Sequence, residues 1–172
     1  MKNILFLSFI IISFQACLAA KKTKKHLVKI QGIITQTSDY CGGARPSDEM
    51  LEQRAKPKPM IGKEIFIKIG PKNKAENSIY KKVITDSVGH FEIMLPTGAV
   101  YSFIEDWKSK PFITPKNTEY IKWDVACLYE RYLTADYVLN VKSTNNSMIN
   151  INFHKPCFFR PYCGTYSGPL PP

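Results

Sequence analysis

Apolar residues recur at every second position in short runs along this chain, the period of strands with one buried face. Leu27 to Thr37 is the first run, interrupted at Gly32. Ile65, Ile67 and Ile69 alternate with Phe66 and Lys68 in the second. Tyr80 to Thr85 and His90 to Leu95 lie on either side of Asp86-Ser87-Val88-Gly89, which predicts a turn joining the two as paired strands. Val100 to Glu105 puts Tyr101 and Phe103 on one face, and Tyr120 to Cys127 reads as a long strand with Ile121, Trp123, Val125 and Cys127 aligned. Tyr137, Leu139 and Val141 make another strand, and Ile149, Ile151 and Phe153 alternate with Asn150, Asn152 and His154 in the last, after a turn at Asn145-Asn146. About seven short strands with turn signals between them predict an all-β fold, an antiparallel β-sandwich. One helical insertion is expected within Ser47 to Gln53: acids stand in its first turn, and Pro57 and Pro59 lie past its end.

The segments between strands divide the chain. Ser38 to Pro59 is a polar stretch, Pro71 to Ser78 a lysine-rich hairpin loop, and Lys108 to Asn117 a loop punctuated by prolines. Before the first strand, Lys2, the apolar run Ile4 to Phe14 and the small residues of Ala16 to Ala20 have the layout of a secretory signal. Cleavage after Ala19 or Ala20 is one reading. The other is a lipobox at Phe14-Gln15-Ala16-Cys17, with Cys17 as the lipidated first residue and the domain held on a membrane without spanning it. The expected organisation is a signal at 1–20, a basic spacer at 21–26, a sandwich domain at 27–155 and a tail at 156–172 that lies across the domain. The destination is the periplasm, or the outer membrane as a lipoprotein.

Charge narrows the partners. The formal net charge is +10, and the leader removes one lysine and no acid. Lys21, Lys22, Lys24 and Lys25 form a solvated run, while the other lysines are scattered over strands and loops. There is no arginine-rich helix and no aromatic RNA-binding signature, so no nucleic acid partner is expected. Proteins or glycans of the cell envelope remain.

The pattern Thr85-Asp86-x-x-Gly89-x-Phe91 followed by Leu95-Pro96-x-Gly98 resembles the carboxypeptidase regulatory-like domains. That resemblance implies a transthyretin-like (prealbumin-like) seven-stranded sandwich, generally without catalytic activity. The family usually has Tyr after the Pro-Gly turn, where Val100 stands here and Tyr101 comes one residue later. Tyr40-Cys41-Gly42-Gly43-Ala44-Arg45-Pro46-Ser47-Asp48-Glu49, with Cys157 to Cys163 and the ending Tyr166-Ser167-Gly168-Pro169-Leu170-Pro171-Pro172, resembles a family of exported Bacteroidota proteins. This second resemblance implies a fold and no activity.

Beyond Cys17, four cysteines remain: Cys41, Cys127, Cys157 and Cys163. An even number in an exported chain implies two disulfides, with three pairings open. Cys157–Cys163 closes a short local loop, which leaves Cys41–Cys127 to pin the polar stretch to the long strand. The rival is a zinc or copper(I) site made by Cys41, His154, Cys157 and Cys163, although the spacing matches no zinc ribbon or finger. There is no Cys-x-x-Cys for redox chemistry. Three dispersed histidines, His26, His90 and His154, have no nucleophile or acid at a catalytic spacing, so neither an enzyme nor a cofactor is expected.

Other features are weighed the same way. Asp48, Glu49 and Glu52 could bind calcium, but they suit the helix dipole equally. Gly42-Gly43-Ala44-Arg45 could form an anion-binding nest, or simply a tight turn. Trp107, Tyr101, Phe112 and Tyr120 flank the proline loop, where exposed aromatics could stack on sugars or a partner protein, while core burial accounts for most of them more simply. Phe158, Phe159 and Tyr162 in the tail, with Arg45 and Asp48, are the contact candidates for a ligand or partner. Asp86-Ser87-Val88 also matches a short O-glycosylation signal of Bacteroidota, and Asn145-Asn146-Ser147 a eukaryotic sequon. The expected role is a non-catalytic binding or structural module at the cell envelope, with a periplasmic metal-binding protein as the alternative.

Overall fold

The alternating runs become two four-stranded sheets packed face to face in the computed structural model, which describes residues 26–142 and 148–170. The first sheet is built on β1 (Leu27–Ser38). One side of β1 pairs with β5 (His90–Pro96) and the two-residue β2 (Lys58–Pro59), the other with β9 (Met148–Lys155). The second sheet runs β4 (Ile79–Ile84), β3 (Glu64–Ile69), β6 (Ala99–Glu105), β8 (Tyr137–Val141). Every pairing in the sandwich is antiparallel except β1 with β9, which is parallel. Leaving out β2, seven strands make an all-β sandwich.

The inward residues are those the alternation selects, except at the end of β3, where a register shift between Ile67 and Lys68 leaves Ile69 exposed and Lys68 buried, against the expected alternation. Ile30 and Ile34 from β1 face Ile65 and Ile67 from β3 and Phe103 from β6, and all five are fully buried. Each such side chain contributes roughly 1.5–3 kcal/mol by leaving water. Gly32 interrupts β1 because the Phe91 ring lies across it: a Cβ there would stand 2.7 Å from the Ile149 carbonyl oxygen and collide with Phe91.

The Thr85–Phe91 motif has a physical role at each position. Thr85 is buried and stitches the chain, its hydroxyl donating to the Met60 carbonyl at 2.6 Å and accepting from the Lys63 amide at 2.8 Å. The Asp86 carboxylate accepts from the Val88 and His90 amides at 2.9 and 2.8 Å. Gly89 has a φ of +79° and passes so close to β1 that a Cβ would lie 2.7 Å from the Ile34 carbonyl oxygen. The strands flanking this turn do not pair with each other, contrary to expectation: β4 hydrogen-bonds to β3 and β5 to β1. The turn is an arch between sheets. Asp86 closes the local turn, and nothing in that closure dictates which strands pair.

Those two amides hold the Asp86 carboxyl below its ordinary value. Its contribution to stability is therefore present above the unfolded-state value, near pH 4, and is lost as pH falls through the lower folded-state value. Asp86→Asn keeps an acceptor oxygen but has no charge to lose. The expected result is a stability gap between wild type and variant that narrows from pH 7 to pH 3 in thermal melts; a constant gap would contradict this assignment.

Between β6 and β8 the chain makes α2 (Asp106–Ser109), a long loop, β7 (Ile121–Trp123) and α3 (Val125–Leu133). The long strand expected over Tyr120 to Cys127 is thus three residues of strand and then a helix. Asp124 caps α3, accepting from the Cys127 amide at 3.0 Å, and Val125, Leu128, Tyr129 and Tyr132 recur at helical spacing. The tail also departs from expectation: β10 (Gly164–Tyr166) pairs antiparallel with β7 in a two-stranded sheet.

Buried polar groups hold this insertion to the sandwich. Asn73, from the β3–β4 loop, has no exposed surface; its side-chain amide donates to the carbonyls of Lys108 at 2.8 Å and Tyr132 at 3.0 Å. The buried Lys108 ammonium donates to Asp136 at 2.6 Å and to the Thr134 carbonyl at 2.7 Å. Cys17, the leader and the Asn145-Asn146-Ser147 segment lie outside the described residues.

Candidate functional site

The two disulfides are Cys41–Cys157 and Cys127–Cys163. This overturns the expected Cys41–Cys127 and Cys157–Cys163 pairs. The reason lies in the parallel β1–β9 pair: Ser38 stands beside Lys155, so Cys41 and Cys157 leave adjacent strand ends together. Cys127 sits in the first turn of α3 and meets the tail, where the Asp124 amide also donates to the Cys163 carbonyl at 2.8 Å. One disulfide closes the end of the first sheet; the other ties α3 to the tail.

With their sulfurs in disulfides, Cys41, Cys157 and Cys163 are not thiolate ligands, and the metal set with His154 does not assemble. His154 instead has its Nε2 3.0 Å from Asp39 and its Nδ1 3.3 Å from the Thr37 hydroxyl. Among the described residues no group of three or more His, Cys, Asp or Glu side chains is placed to hold a metal ion. Asp48 and Glu49 stand in the first turn of α1 (Asp48–Ala55), which Ser47 caps, and Glu52 pairs with Lys56 at 3.0 Å, so the calcium set is not built either. Neither Gly42 nor Gly43 takes a positive φ, so the alternating backbone of a nest is not formed beside Arg45.

A cleft of ≈ 460 Å³ opens beside the Cys41–Cys157 disulfide, with Cys157 on its lining. Phe153 and Cys157 form its floor, and Trp107, Trp123, Phe158 and Tyr162 stand around it. Each wall residue is fixed by a different element. Trp107, on α2, donates from its indole to Glu105 at 3.2 Å, and Glu105 in turn pairs with Lys63 at 2.8 Å. Trp123, at the end of β7, packs against Gly164 of β10. Tyr162 donates to the His154 carbonyl at 3.1 Å, and the Arg131 guanidinium from α3 lies 3.6 Å from its ring centre. Phe158 is 58% exposed and meets Phe159 and Tyr166 edge-on.

Of the contact candidates, Phe158 and Tyr162 share this cleft, whereas Arg45 and Phe159 line a neighbouring cavity of ≈ 420 Å³ with Leu51 and Leu170. Asp48 lines neither and is exposed on α1. Sequence reasoning missed Trp123, Leu128 and Arg131 as wall residues because the strand expected over Tyr120 to Cys127 hid the start of α3, which carries Leu128 and Arg131 to the cleft beside Trp123 of β7. The Asp124 cap ahead of a helical apolar spacing is the signal that would have found them.

No family model matches the chain, and no curated protein matches it. Among solved structures, a minor pilin of Streptococcus agalactiae is similar with a TM-score of 0.36 and 14% identity, over 80% of this chain and 47% of the pilin. A shaft pilin of Lactobacillus rhamnosus GG is similar with a TM-score of 0.34 and 12% identity, over 85% of this chain and 52% of the pilin. The chain spans about half the length of each pilin.

Proposed function

We propose that this protein is an exported, non-catalytic binding or structural module of the cell envelope, a transthyretin-like sandwich that meets its partner through the aromatic cleft. The observation that carries this reading is the placement of four large aromatic side chains around an open cleft, with Cys157 of one disulfide in its lining and the other disulfide tying α3 to the tail segment of Tyr162. Exposed apolar rings cost free energy in a free monomer, and rings held rigidly lose little entropy on binding. Disulfides suit an oxidising compartment, in keeping with the secretory layout of the leader. The sandwich topology and the turn at Thr85–Gly89 support the transthyretin-like assignment.

The test is saturable binding of the purified mature protein to washed envelopes of the source cells. Phe158→Ala with Tyr162→Ala is expected to weaken binding about tenfold or more, as loss of aromatic anchors does, without changing the circular dichroism. Arg45→Ala with Asp48→Ala tests the neighbouring surface. Unchanged binding by both double variants would sink the proposal.

A further inference from the structure

At one end of the sandwich the core-side positions of two strands turn polar. Along β1 the buried Ile30 and Ile34 are followed on the same side by the half-buried Gln36 and Ser38, and along β9 the buried Ile149, Ile151 and Phe153 are followed by Lys155, which is exposed. The apolar stripe thus gives way to an amide, a hydroxyl and an ammonium where β1 and β9 end side by side. A second cavity, of ≈ 310 Å³, opens there and adjoins the aromatic cleft as the other half of a groove, with Gln36, Lys155 and Pro156 on the lining of both.

The charges along this groove are unbalanced. Arg54, Lys58 and Lys155 line the second cavity, and none of them makes an ion pair among the described residues. Arg54 reaches only the Ser38 hydroxyl, at 3.5 Å. Of the acids on the groove, Glu105 is paired with Lys63 at 2.8 Å, while Asp39 meets only the His154 imidazole, at 3.0 Å, so one carboxylate stands against the three cations of the second cavity. Arg131 adds a fourth cation on the aromatic wall, stacked on Tyr162.

We propose that the groove binds an acidic oligosaccharide, with sugar rings against Trp107, Trp123 and Tyr162 and a carboxylate or sulfate substituent among Arg54, Lys58 and Lys155. A pyranose has an apolar face that packs on an aromatic ring, hydroxyls that suit Gln36, Thr37 and Ser38, and, in an acidic polymer, an anion on successive rings. The inference rests on the aromatic cleft being the contact surface. A purely acidic peptide would satisfy the cations and could bond the hydroxyl-lined edge through its backbone, but it brings no apolar ring face to the aromatic wall.

The chain contains two tryptophans, both on this cleft, so intrinsic fluorescence reports its occupancy. The mature protein is titrated at physiological ionic strength with oligogalacturonate, a neutral malto-oligosaccharide of equal length and an oligoglutamate. Oligogalacturonate is expected to change the emission saturably and the other two not. Converting Arg54, Lys58 and Lys155 together to Gln should weaken binding at least about tenfold, whereas converting exposed Lys116, Lys122 and Lys142 to Gln removes the same charge elsewhere and should leave it nearly unchanged. Equal loss in the two triple variants would show attraction by net charge alone and overturn the proposal. Equal response to oligoglutamate would overturn it in favour of an acidic peptide. No response to any anion, with envelope binding still dependent on Phe158 and Tyr162, would overturn the acidic-sugar assignment and leave the cleft as a contact surface; loss of that dependence as well would end both.

Discussion

Replacing Cys41 and Cys157 together by serine is expected to remove about 5 kcal/mol of stability, the largest effect of any paired substitution at the cleft. The bond joins residues 116 apart, and on the chain-entropy account cross-linking a loop of that length costs the unfolded ensemble about 5 kcal/mol. Cys127 and Cys163 are 36 apart, so their double replacement should cost about 4 kcal/mol on the same account. Urea unfolding of both double variants under non-reducing conditions measures the difference. Peptide mapping of the unreduced wild type checks the premise, because a Cys41 peptide joined to Cys127 would refute the observed pairing. A Cys127/Cys163 variant less stable than the Cys41/Cys157 variant would show that native-state packing of the tail outweighs loop length. With domain stabilities of about 5–15 kcal/mol, either loss is a large share of the whole.

Lys108→Ala is expected to cost about 3–5 kcal/mol, because it leaves a nearly buried carboxylate without its cation. The Lys108 and Asp136 side chains are 3% and 13% exposed, and their charged atoms are 2.6 Å apart. Asp136 keeps one other donor, the Glu105 amide at 2.8 Å. Asp136→Asn should be damaging for the converse reason, while Lys108→Met with Asp136→Asn removes both charges and keeps most of the packing. The double variant should therefore be more stable than the sum of the single losses allows, a coupling that a double-mutant cycle in chemical denaturation reads directly. Additive losses, or an Ala variant within 1 kcal/mol of wild type, would show that the pair behaves like an exposed one. Because α2 carries Trp107 next to Lys108, the same variant should loosen the cleft wall and shift tryptophan emission.

The candidate site was legible in its parts and not in its assembly. Phe158 and Tyr162 stood out as aromatics in an irregular tail, and both reach the cleft. Arg45 and Phe159 come together in the adjoining cavity, while Asp48 stays apart on α1. The turn of the chain that brings Trp123 and Arg131 together was hidden because the run from Tyr120 to Cys127 alternates well enough to pass for one strand, which conceals the start of α3. The second half of that run has a competing helical spacing that continues to Tyr132, and the Asp124 cap decides in favour of the helix. Lys155, exposed but on the lining of both cavities, was unreadable as a groove residue, since a lysine at a strand end has the same sequence signature whether it faces open solvent or a groove.

What the sequence by itself determined are the local properties. Period-two alternation selected the buried faces of β1, β5, β8 and β9 and of β3 as far as Ile67; Ser47 and the acids after it selected α1; Asp86 and Gly89 selected the turn between β4 and β5. These follow from interactions within a few residues, where backbone geometry and burial act on adjacent positions. The tertiary structure decided everything that depends on which strands become neighbours. Alternation along a strand carries no information about the partner on either edge, so the parallel β1–β9 pair and the separation of β4 from β5 had to come from the packing of two sheets on one core. The cysteine pairing followed from that choice: once β1 and β9 end side by side, Cys41 has Cys157 within reach, and their Cα atoms are 5.4 Å apart.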